Sequence, residues 1–278
     1  MNWQPAHEMH AIERVALTFV FAGSVSTKPW NESAVNALKH LVAEGFVEVG
    51  SPPMPQQGLS LLISARGMEV NPPGGRQFMR IEAEQSLEDV NLQRNMLSYA
   101  TTRYHRWDNY RNRAFQLIGE TLEKSLQLES LSSLKLEYWD RFVSDSDLKN
   151  VEYGELLRKG SSRIPDFVFG NSELFHVHSG NFLFPDLIAR RLINVNVDAL
   201  DVGKPPNRGG DATTSGLLRR SVGIYTMFQD ELRPDQSPST AGETILRLDE
   251  MHLGLKELLA GIISDAAIER ISLRGGKS

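Results

Sequence analysis

The order of apolar and polar residues in the first part of the chain predicts several strands and one helix. Residues 12–22 are rich in β-branched and aromatic side chains, which is typical of a strand. Apolar residues then recur at helical spacing through residues 29–44. A loop at 51–58 and the turn sequence NPPGG separate the segments that follow. Further strands are predicted at 59–65, 76–86 and 90–101.

The middle of the chain predicts one amphipathic helix, one alternating strand and a connector. Between residues 107 and 124, apolar and aromatic side chains fall on a single helical stripe. Residues 133–143 alternate between apolar and polar positions, as in a half-buried strand. Residues 144–171 are polar and weakly periodic, which indicates a connector with a short helix near 153–158.

The last part of the chain predicts three strands and a long helix. The strands are expected at 173–179, 190–200 and 218–229, with a long polar loop at 201–216. A helix is expected from 241 to 270, and Thr240 and Glu243 before its apolar stripe have the spacing of a capping box. That stripe requires one face of the helix to pack against a sheet.

The resulting order is β-α-β-β-β-α-β followed by β-β-β-α, and it predicts an α+β protein. Strands occur in runs and few are joined by helices, which favours an antiparallel sheet with helices packed on one face. The predicted organisation is an N-terminal α+β half at 1–143, a connector at 144–171 and a C-terminal half at 172–278. The C-terminal half contains a β-meander and the long helix, and the two halves can also form one continuous domain.

Composition narrows the class of protein. The 278 residues are 40% hydrophobic and 23% charged, as in ordinary globular proteins. A net charge of -5 and a pI of about 5.8 argue against direct nucleic-acid binding, which usually needs a basic surplus. The absence of cysteine excludes disulfides and thiolate metal sites. Neither a signal-peptide pattern nor an apolar run of the roughly 18 residues that span a membrane is found, so a cytoplasmic protein without membrane association is predicted.

Two consecutive predicted strands carry a candidate polar patch. Alternate residues of a strand share a face, so His176 and His178 point to the same side. The next strand places Asn194, Asn196 and Asp198 on one face. If the two strands pair, the imidazoles and the carboxylate together suit zinc or another divalent metal. The alternative is a solvated sheet face, for which no cofactor is expected.

A second candidate cluster combines a strand end with the long helix. Tyr138, Asp140 and Arg141 end the alternating strand, where a buried Asp-Arg pair would hold the sheet to a helix or bind an anionic ligand. Asp249 and His252 lie one helical turn apart, at a spacing that makes them neighbours. An imidazole oriented by a carboxylate can act as a general base, and it can equally be a core residue.

Three short motifs resemble those of a sporadically distributed prokaryotic family of uncharacterised proteins. In that family a Tyr-x-x-Trp helix start precedes a strand that ends in Tyr-x-Asn/Asp-Arg, and an Asp-x-x-His pair lies on the last helix. The matching residues are Tyr104 and Trp107, then Tyr138, Asp140 and Arg141, then Asp249 and His252. The resemblance touches most of the chain and supports the predicted fold. It implies no activity, but the patchy distribution of the family is typical of mobile or defence-associated genes.

Three functions remain open, because the chain contains no phosphate-binding glycine motif, no G-x-S-x-G elbow and no H-E-x-x-H motif. The favoured one is a non-enzymatic component, regulatory or partner-binding, which binds another protein or a second copy of itself; the resemblance suggests a defence-type operon for it. The second is a metal-dependent hydrolase or phosphoesterase centred on His176, His178 and Asp198. The third is a small-ligand binder with a pocket between sheet and last helix, where Tyr138 and His252 would meet.

Overall fold

The computed structural model describes residues 2–50, 75–170, 172–203 and 218–274, which form a mixed α+β fold. Its strands are β1 (Trp3–Pro5), β2 (Ile12–Phe21), β3 (Val47–Gly50), β4 (Arg76–Glu82), β5 (Gln85–Gln93), β6 (Met96–Thr101), β7 (Leu131–Ser144), β8 (His176–Leu183), β9 (Arg190–Gly203) and β10 (Leu218–Glu231). Its helices are α1 (Thr27–Ala43), α2 (Trp107–Leu126), α3 (Tyr153–Leu156), α4 (Ala241–Ile262) and α5 (Asp265–Arg270).

The described strands form one antiparallel sheet. Their order is β3-β4-β5-β6-β2-β7-β10-β9-β8, and β1 pairs with the C-terminal end of β7. β7 therefore lies between strands from the two predicted halves of the chain, with β2 on one side and β10 on the other. The predicted α+β class with an antiparallel sheet is confirmed, and the long C-terminal helix is present as α4.

The strands differ from the sequence prediction at two hairpins. The strand expected at 76–86 ends at Glu82, because Ala83 and Glu84 have positive φ angles of 47° and 66° and turn the chain into β5. The strand expected at 90–101 is likewise divided between β5 and β6. Ala and Glu are not typical turn residues, so the first turn was not apparent in the sequence. The short strands β1 and β3 were not expected either.

Some predicted elements lie outside the described residues. These are the loop at 51–58, the strand at 59–65, most of the NPPGG turn and residues 204–216 of the polar loop. The first residues of that predicted loop belong to β9, which extends to Gly203. None of the described helices is long and apolar enough to cross a membrane.

The helix expected at 241–270 is two helices. α4 ends at Ile262, and Ile263 forms an isolated β-bridge with Leu157. Ser264 then starts α5, because its hydroxyl accepts a hydrogen bond of 3.2 Å from the backbone N–H of Ala267. The break lets the end of the chain fold back over the connector.

Alternation along the two central strands determines which side chains face the helices. β7 buries every second residue, each at most 4% exposed: Leu134, Leu136, Tyr138, Asp140 and Phe142. The register between β7 and β10 places Thr226 opposite Tyr138 and Ile224 opposite Asp140. α2 and α4 pack on this face of the sheet. Tyr138 and Asp140 of β7 are therefore buried beneath the helices.

α4 packs closely on the sheet along its predicted apolar stripe. Its buried residues include Leu248, Met251, Leu255 and Leu259. A Cβ atom at Gly254 would lie 2.6 Å from the ring of Phe228, so only glycine permits this approach. Thr240 caps the helix by accepting a hydrogen bond from Glu243 N, while the carboxylate of Glu243 accepts from Ser239 N.

Candidate functional site

A cavity of about 520 Å³ lies between the sheet and α4, beside the start of α2. Its polar floor comes from the central strands, with Tyr138 and Asp140 on β7 and Thr226 on β10. α4 supplies His252 and two leucines. Residues 271–273, after α5, form part of the wall. The segments that lead into β2 and α2, with the first residue of each element, supply His10, Ile12, Tyr104, His105, Arg106 and Trp107.

Asp140 is the most unusual residue of this cavity. It is 3% exposed, and its Oδ1 atom has no hydrogen-bond partner among the described residues. Buried polar atoms almost always have partners, because an unpaired one loses its hydration without compensation. Burial, and then the negative charge of Glu13, raise the pKa of Asp140 to about 7. The carboxyl group on the cavity floor therefore has one oxygen that no described residue hydrogen-bonds.

Tyr138 and His252 meet across the cavity. The hydroxyl group of Tyr138 and the Nδ1 atom of His252 share a hydrogen bond of 2.8 Å. Burial, and then the positive charge of Lys256, lower the pKa of His252 to about 4. Burial also raises the pKa of Tyr138 well above its usual value. Near neutral pH both groups are uncharged, and the contact between sheet and helix anticipated from the sequence is present.

Asp249 supports His252 through Trp107 rather than directly. The indole N–H of Trp107 donates a hydrogen bond of 2.6 Å to Asp249, and Arg111 donates to both carboxylate oxygens at 2.7 and 2.8 Å. The Trp107 ring stacks on the imidazole of His252, with centroids 4.5 Å apart and planes inclined by 6°. Asp249 therefore orients an aromatic platform that holds the imidazole in place.

Aromatic rings continue around the other side of the cavity. The edge of Tyr104 lies against Tyr138 at 6.1 Å and against His10 at 5.5 Å between ring centroids. Burial lowers the pKa of His10, so this imidazole is also neutral near pH 7. The cavity is thus lined by flat rings around one carboxyl group.

The rim of the cavity carries positive charge. Arg106 is exposed and Lys256 is half-buried, and both line the cavity. Neither forms an ion pair with another residue in the described part of the chain. Exposed His105 lies beside Arg106. The rim therefore presents cations that no carboxylate within the described ranges neutralises.

Arg141 does not belong to this site. Consecutive strand residues point to opposite faces, so Arg141 lies on the open face of the sheet when Asp140 faces the helices. Its guanidinium group donates to Glu13 at 2.7 Å and to the hydroxyl of Ser221 at 2.9 Å. The expected buried Asp140–Arg141 pair is therefore not formed, and the carboxyl group lacks the cation that the sequence suggested.

The polar patch of the His-x-His strand lies on the same open face. β8 and β9 pair, with His176 opposite Asp198 and His178 opposite Asn196. His176 Nδ1 and Asp198 Oδ1 are 2.6 Å apart, and their side chains are 66% and 39% exposed.

Further along β9, the side-chain oxygens of Asn194 and Asn196 are buried without hydrogen-bond partners among the described residues. Within the described ranges, no three His, Asp or Glu side chains are grouped so that they could hold a metal ion. The patch thus supplies an imidazole–carboxylate pair, and His178 is directed to the same side.

Several cavity residues were not identified from the sequence as site residues. His10 lies in the segment before β2, and Thr226 lies in β10, far from the other site residues along the chain. Thr226 occupies an inward position of an alternating strand, which is a usable signal, because hydroxyl groups at such positions need partners. Lys256 follows His252 by one helical turn, so the helical spacing could also have indicated it.

Comparison of the chain with protein-family models, with curated proteins and with solved structures gives no match. Residues from all three motifs that carry the resemblance nevertheless converge in space, with Arg141 as the exception. Tyr104, Trp107, Tyr138, Asp140 and His252 line the cavity, and Asp249 is bonded to Trp107. The residues of these motifs thus point to the cavity as the candidate functional site.

Proposed function

We propose that the chain binds a small organic molecule in the cavity between the sheet and α4. The observation that carries this proposal is the unpaired carboxyl oxygen of Asp140, buried on the floor of a cavity of about 520 Å³. Ligand sites are typically concave, largely apolar and equipped with a few convergent polar groups. A ligand that donates a hydrogen bond to Asp140 would satisfy an atom for which the described residues supply no partner.

Stability supports a ligand role for this carboxyl group. An isolated buried carboxylate destabilises a fold, so a protein without use for it gains by having an apolar residue there. Asp140 is the inward residue that follows Tyr138, and the inward residues Leu134, Leu136 and Phe142 of the same strand are apolar. The surrounding rings are fixed by the stacking of Trp107 on His252 and by the bond between Tyr138 and His252. Such a preorganised lining lowers the cost of binding.

Benzamidine is the direct probe of this proposal, because it joins an aromatic ring to a cationic group with paired N–H donors. We expect it to bind the full chain at pH 8, measured by isothermal titration calorimetry. Replacing Asp140 by Asn should weaken binding by at least about tenfold, since a charge-assisted hydrogen bond contributes roughly 1.5–3 kcal/mol. Asp235→Asn is the matched control at an exposed position and should leave the affinity unchanged. Equal affinity of both variants would refute the role of Asp140.

A partner-binding role is the second candidate, and the edge of the sheet favours it. β8 is at one end of the described sheet, so its outer backbone groups lack a neighbouring strand there. Large apolar side chains are exposed at the end of β8 and just after it: Phe182 is 47%, Phe184 75% and Leu187 72% exposed. We propose a second copy of the chain as the partner, because two equivalent edges can pair about a twofold axis and cover these side chains together.

Light scattering coupled to gel filtration tests the second candidate. We expect the wild-type chain to form dimers whose fraction rises with concentration, and Phe184→Lys with Leu187→Lys to make it monomeric. Leu246→Lys is the control, since Leu246 is 70% exposed on α4 and lies outside β8. A wild-type chain that stays monomeric at every concentration would rule this role out. Binding of benzamidine does not depend on the outcome.

The remaining expectations stay proposals of lower rank. A metal-dependent hydrolase would need a third ligand beside His176 and Asp198, and metal analysis of a His176→Ala, His178→Ala double variant tests it. Membership of the sporadic prokaryotic family, a defence-type operon and a cytoplasmic location are likewise proposals. The convergence of most motif residues on one cavity supports the proposed family membership.

A further inference from the structure

A second cleft lies next to the candidate cavity and has a basic lining. Its volume is about 470 Å³, and it lies between the turn at residues 7–10 and the segment before α2. His10 and Tyr104 line both the cleft and the cavity, so the two share a wall. The side chains that bring nitrogen atoms to the cleft are His7, His10, Arg103, His105, Arg106 and Asn109. We propose that this basic cleft binds a phosphate group, in addition to the ligand of the cavity.

The charged side chains of the basic cleft favour an anion. Arg106 is exposed and forms no ion pair with any residue in the described part of the chain. Arg103 is neutralised by Glu82, at 2.5 Å. Among the described residues, Glu8 is the only carboxylate that lines the cleft, and it is exposed. A bound anion would therefore give Arg106 the partner that the described residues do not provide.

The histidines of the cleft supply further hydrogen-bond donors for an anion. The rings of His7 and His10 contact each other, with centroids 4.7 Å apart, and the backbone N–H of His7 donates to the carbonyl of His10 at 3.1 Å. The Nδ1 atom of His10 is buried without a hydrogen-bond partner in the described ranges. His105 approaches from the other wall. Imidazoles held this close repel each other when both are charged, and an anion between the walls would offset that repulsion.

The arrangement of these donors favours a phosphate group over a metal ion or a carboxylate. In the part of the chain that the structure describes, no three His, Asp or Glu side chains are grouped so that they could hold a metal ion. The donors of the cleft come from two opposite walls, at residues 7–10 and 103–109. A carboxylate presents two oxygens in one plane, whereas a tetrahedral phosphate presents oxygens in several directions and matches the geometry of a guanidinium group. A phosphate group can therefore accept hydrogen bonds from both walls at once.

Calorimetric titration of the full chain with simple anions tests this site. Inorganic phosphate, sulfate and acetate are compared in one chloride buffer at equal ionic strength. We expect phosphate and sulfate to saturate one site per chain, because both are tetrahedral oxyanions. Acetate should bind at least about tenfold more weakly, since it has one charge and two oxygens. Binding of phosphate that does not saturate, or that is no tighter than binding of acetate, would overturn the proposal.

Two variants, each with a matched control, place the anion in the basic cleft. Arg106→Ala removes the cation without an ion-pair partner and should weaken phosphate binding by at least about tenfold. His7→Gln should weaken it by a smaller factor, and both variants change exposed residues. The controls are Arg233→Ala and His178→Gln, at side chains that do not line the cleft. If Arg106→Ala and His7→Gln bind phosphate as tightly as their controls, the site does not exist.

Two further titrations identify the source of the phosphate and separate this site from the cavity. Glycerol 3-phosphate that binds as tightly as inorganic phosphate would indicate a phosphate ester as ligand, and much weaker binding would indicate the free ion; the phosphate site holds in both cases. Benzamidine should not displace phosphate, because its proposed contact is Asp140 in the cavity. Displacement would place the anion in the cavity and overturn the assignment to the cleft. Failure of benzamidine to bind would refute the proposed function and leave the phosphate site standing.

Discussion

Replacing Asp140 by Asn is expected to make the protein progressively more stable than wild type as the pH rises from 4 to 8. The folded protein raises the pKa of this carboxyl group from 3.8 to about 7, so it keeps a proton that the unfolded chain releases. A group whose pKa is raised on folding contributes its full stability at pH values below its pKa in the unfolded chain. That stability is lost as the pH rises through its pKa in the folded protein. The loss amounts to about 4 kcal/mol for this displacement of the pKa.

The measurement is urea unfolding of both proteins at several pH values, compared as the difference in unfolding free energy. All other titrating groups are shared, so they cancel in this difference. Asp235→Asn, at a side chain 75% exposed, is the matched control for the loss of a carboxyl group. A pH-independent difference for Asp140→Asn would mean that the carboxyl group is hydrated or paired in the folded protein.

Replacing His252 by Gln is expected to have the opposite effect. The folded protein lowers the pKa of His252 from 6.5 to about 4, so the imidazole stays neutral while the unfolded chain takes up a proton. This group contributes stability above pH 6.5 and loses it as the pH falls towards 4, by up to about 3 kcal/mol. Relative to wild type, His252→Gln should therefore gain stability on acidification. Loss of the bond to Tyr138 adds a constant destabilisation of about 1 kcal/mol.

The control for this titration is His178→Gln, because His178 is exposed on the open face of the sheet. In wild type the contributions of Asp140 and His252 oppose each other between about pH 4 and 6.5 and largely cancel there. Each single variant removes one of these contributions. Relative to wild type, the unfolding free energy of Asp140→Asn should then rise with pH, and that of His252→Gln should fall with pH. If the unfolding free energies of both variants change with pH in the same direction relative to wild type, the pKa shifts assigned to Asp140 and His252 are incorrect.

Features that depend on local alternation were predictable from the sequence. The strict alternation of residues 133–143 and the apolar stripe of α4 each determine a buried face without reference to the rest of the chain. Together these faces place Tyr138 opposite His252, and the structure shows their hydrogen bond. The pairing of β8 with β9 was predictable for the same reason, since their apolar faces had to share one side.

Features that depend on contacts between distant segments were not predictable. The cavity joins the segment before β2, the start of α2, β7, β10, α4 and residues 271–273, which come together only in the folded chain. Asp140 is an example. The adjacent Arg141 suggested an ion pair, but neighbouring residues of a strand point to opposite faces, and Arg141 bonds to Glu13 instead. The role of Trp107 between Asp249 and His252 likewise requires α2 and α4 to be neighbours.

Carboxyl-carbon NMR of Asp140, titrated with pH in the absence and presence of saturating benzamidine, measures directly whether this carboxyl group holds the ligand. We expect the free protein to show a pKa of about 7 for this group. We also expect benzamidine to lower this pKa, since a cationic ligand stabilises the carboxylate. An Asp140 signal that titrates near its ordinary value of 3.8 in the free protein, or that benzamidine leaves unchanged, would contradict the proposal that this carboxyl group holds a ligand.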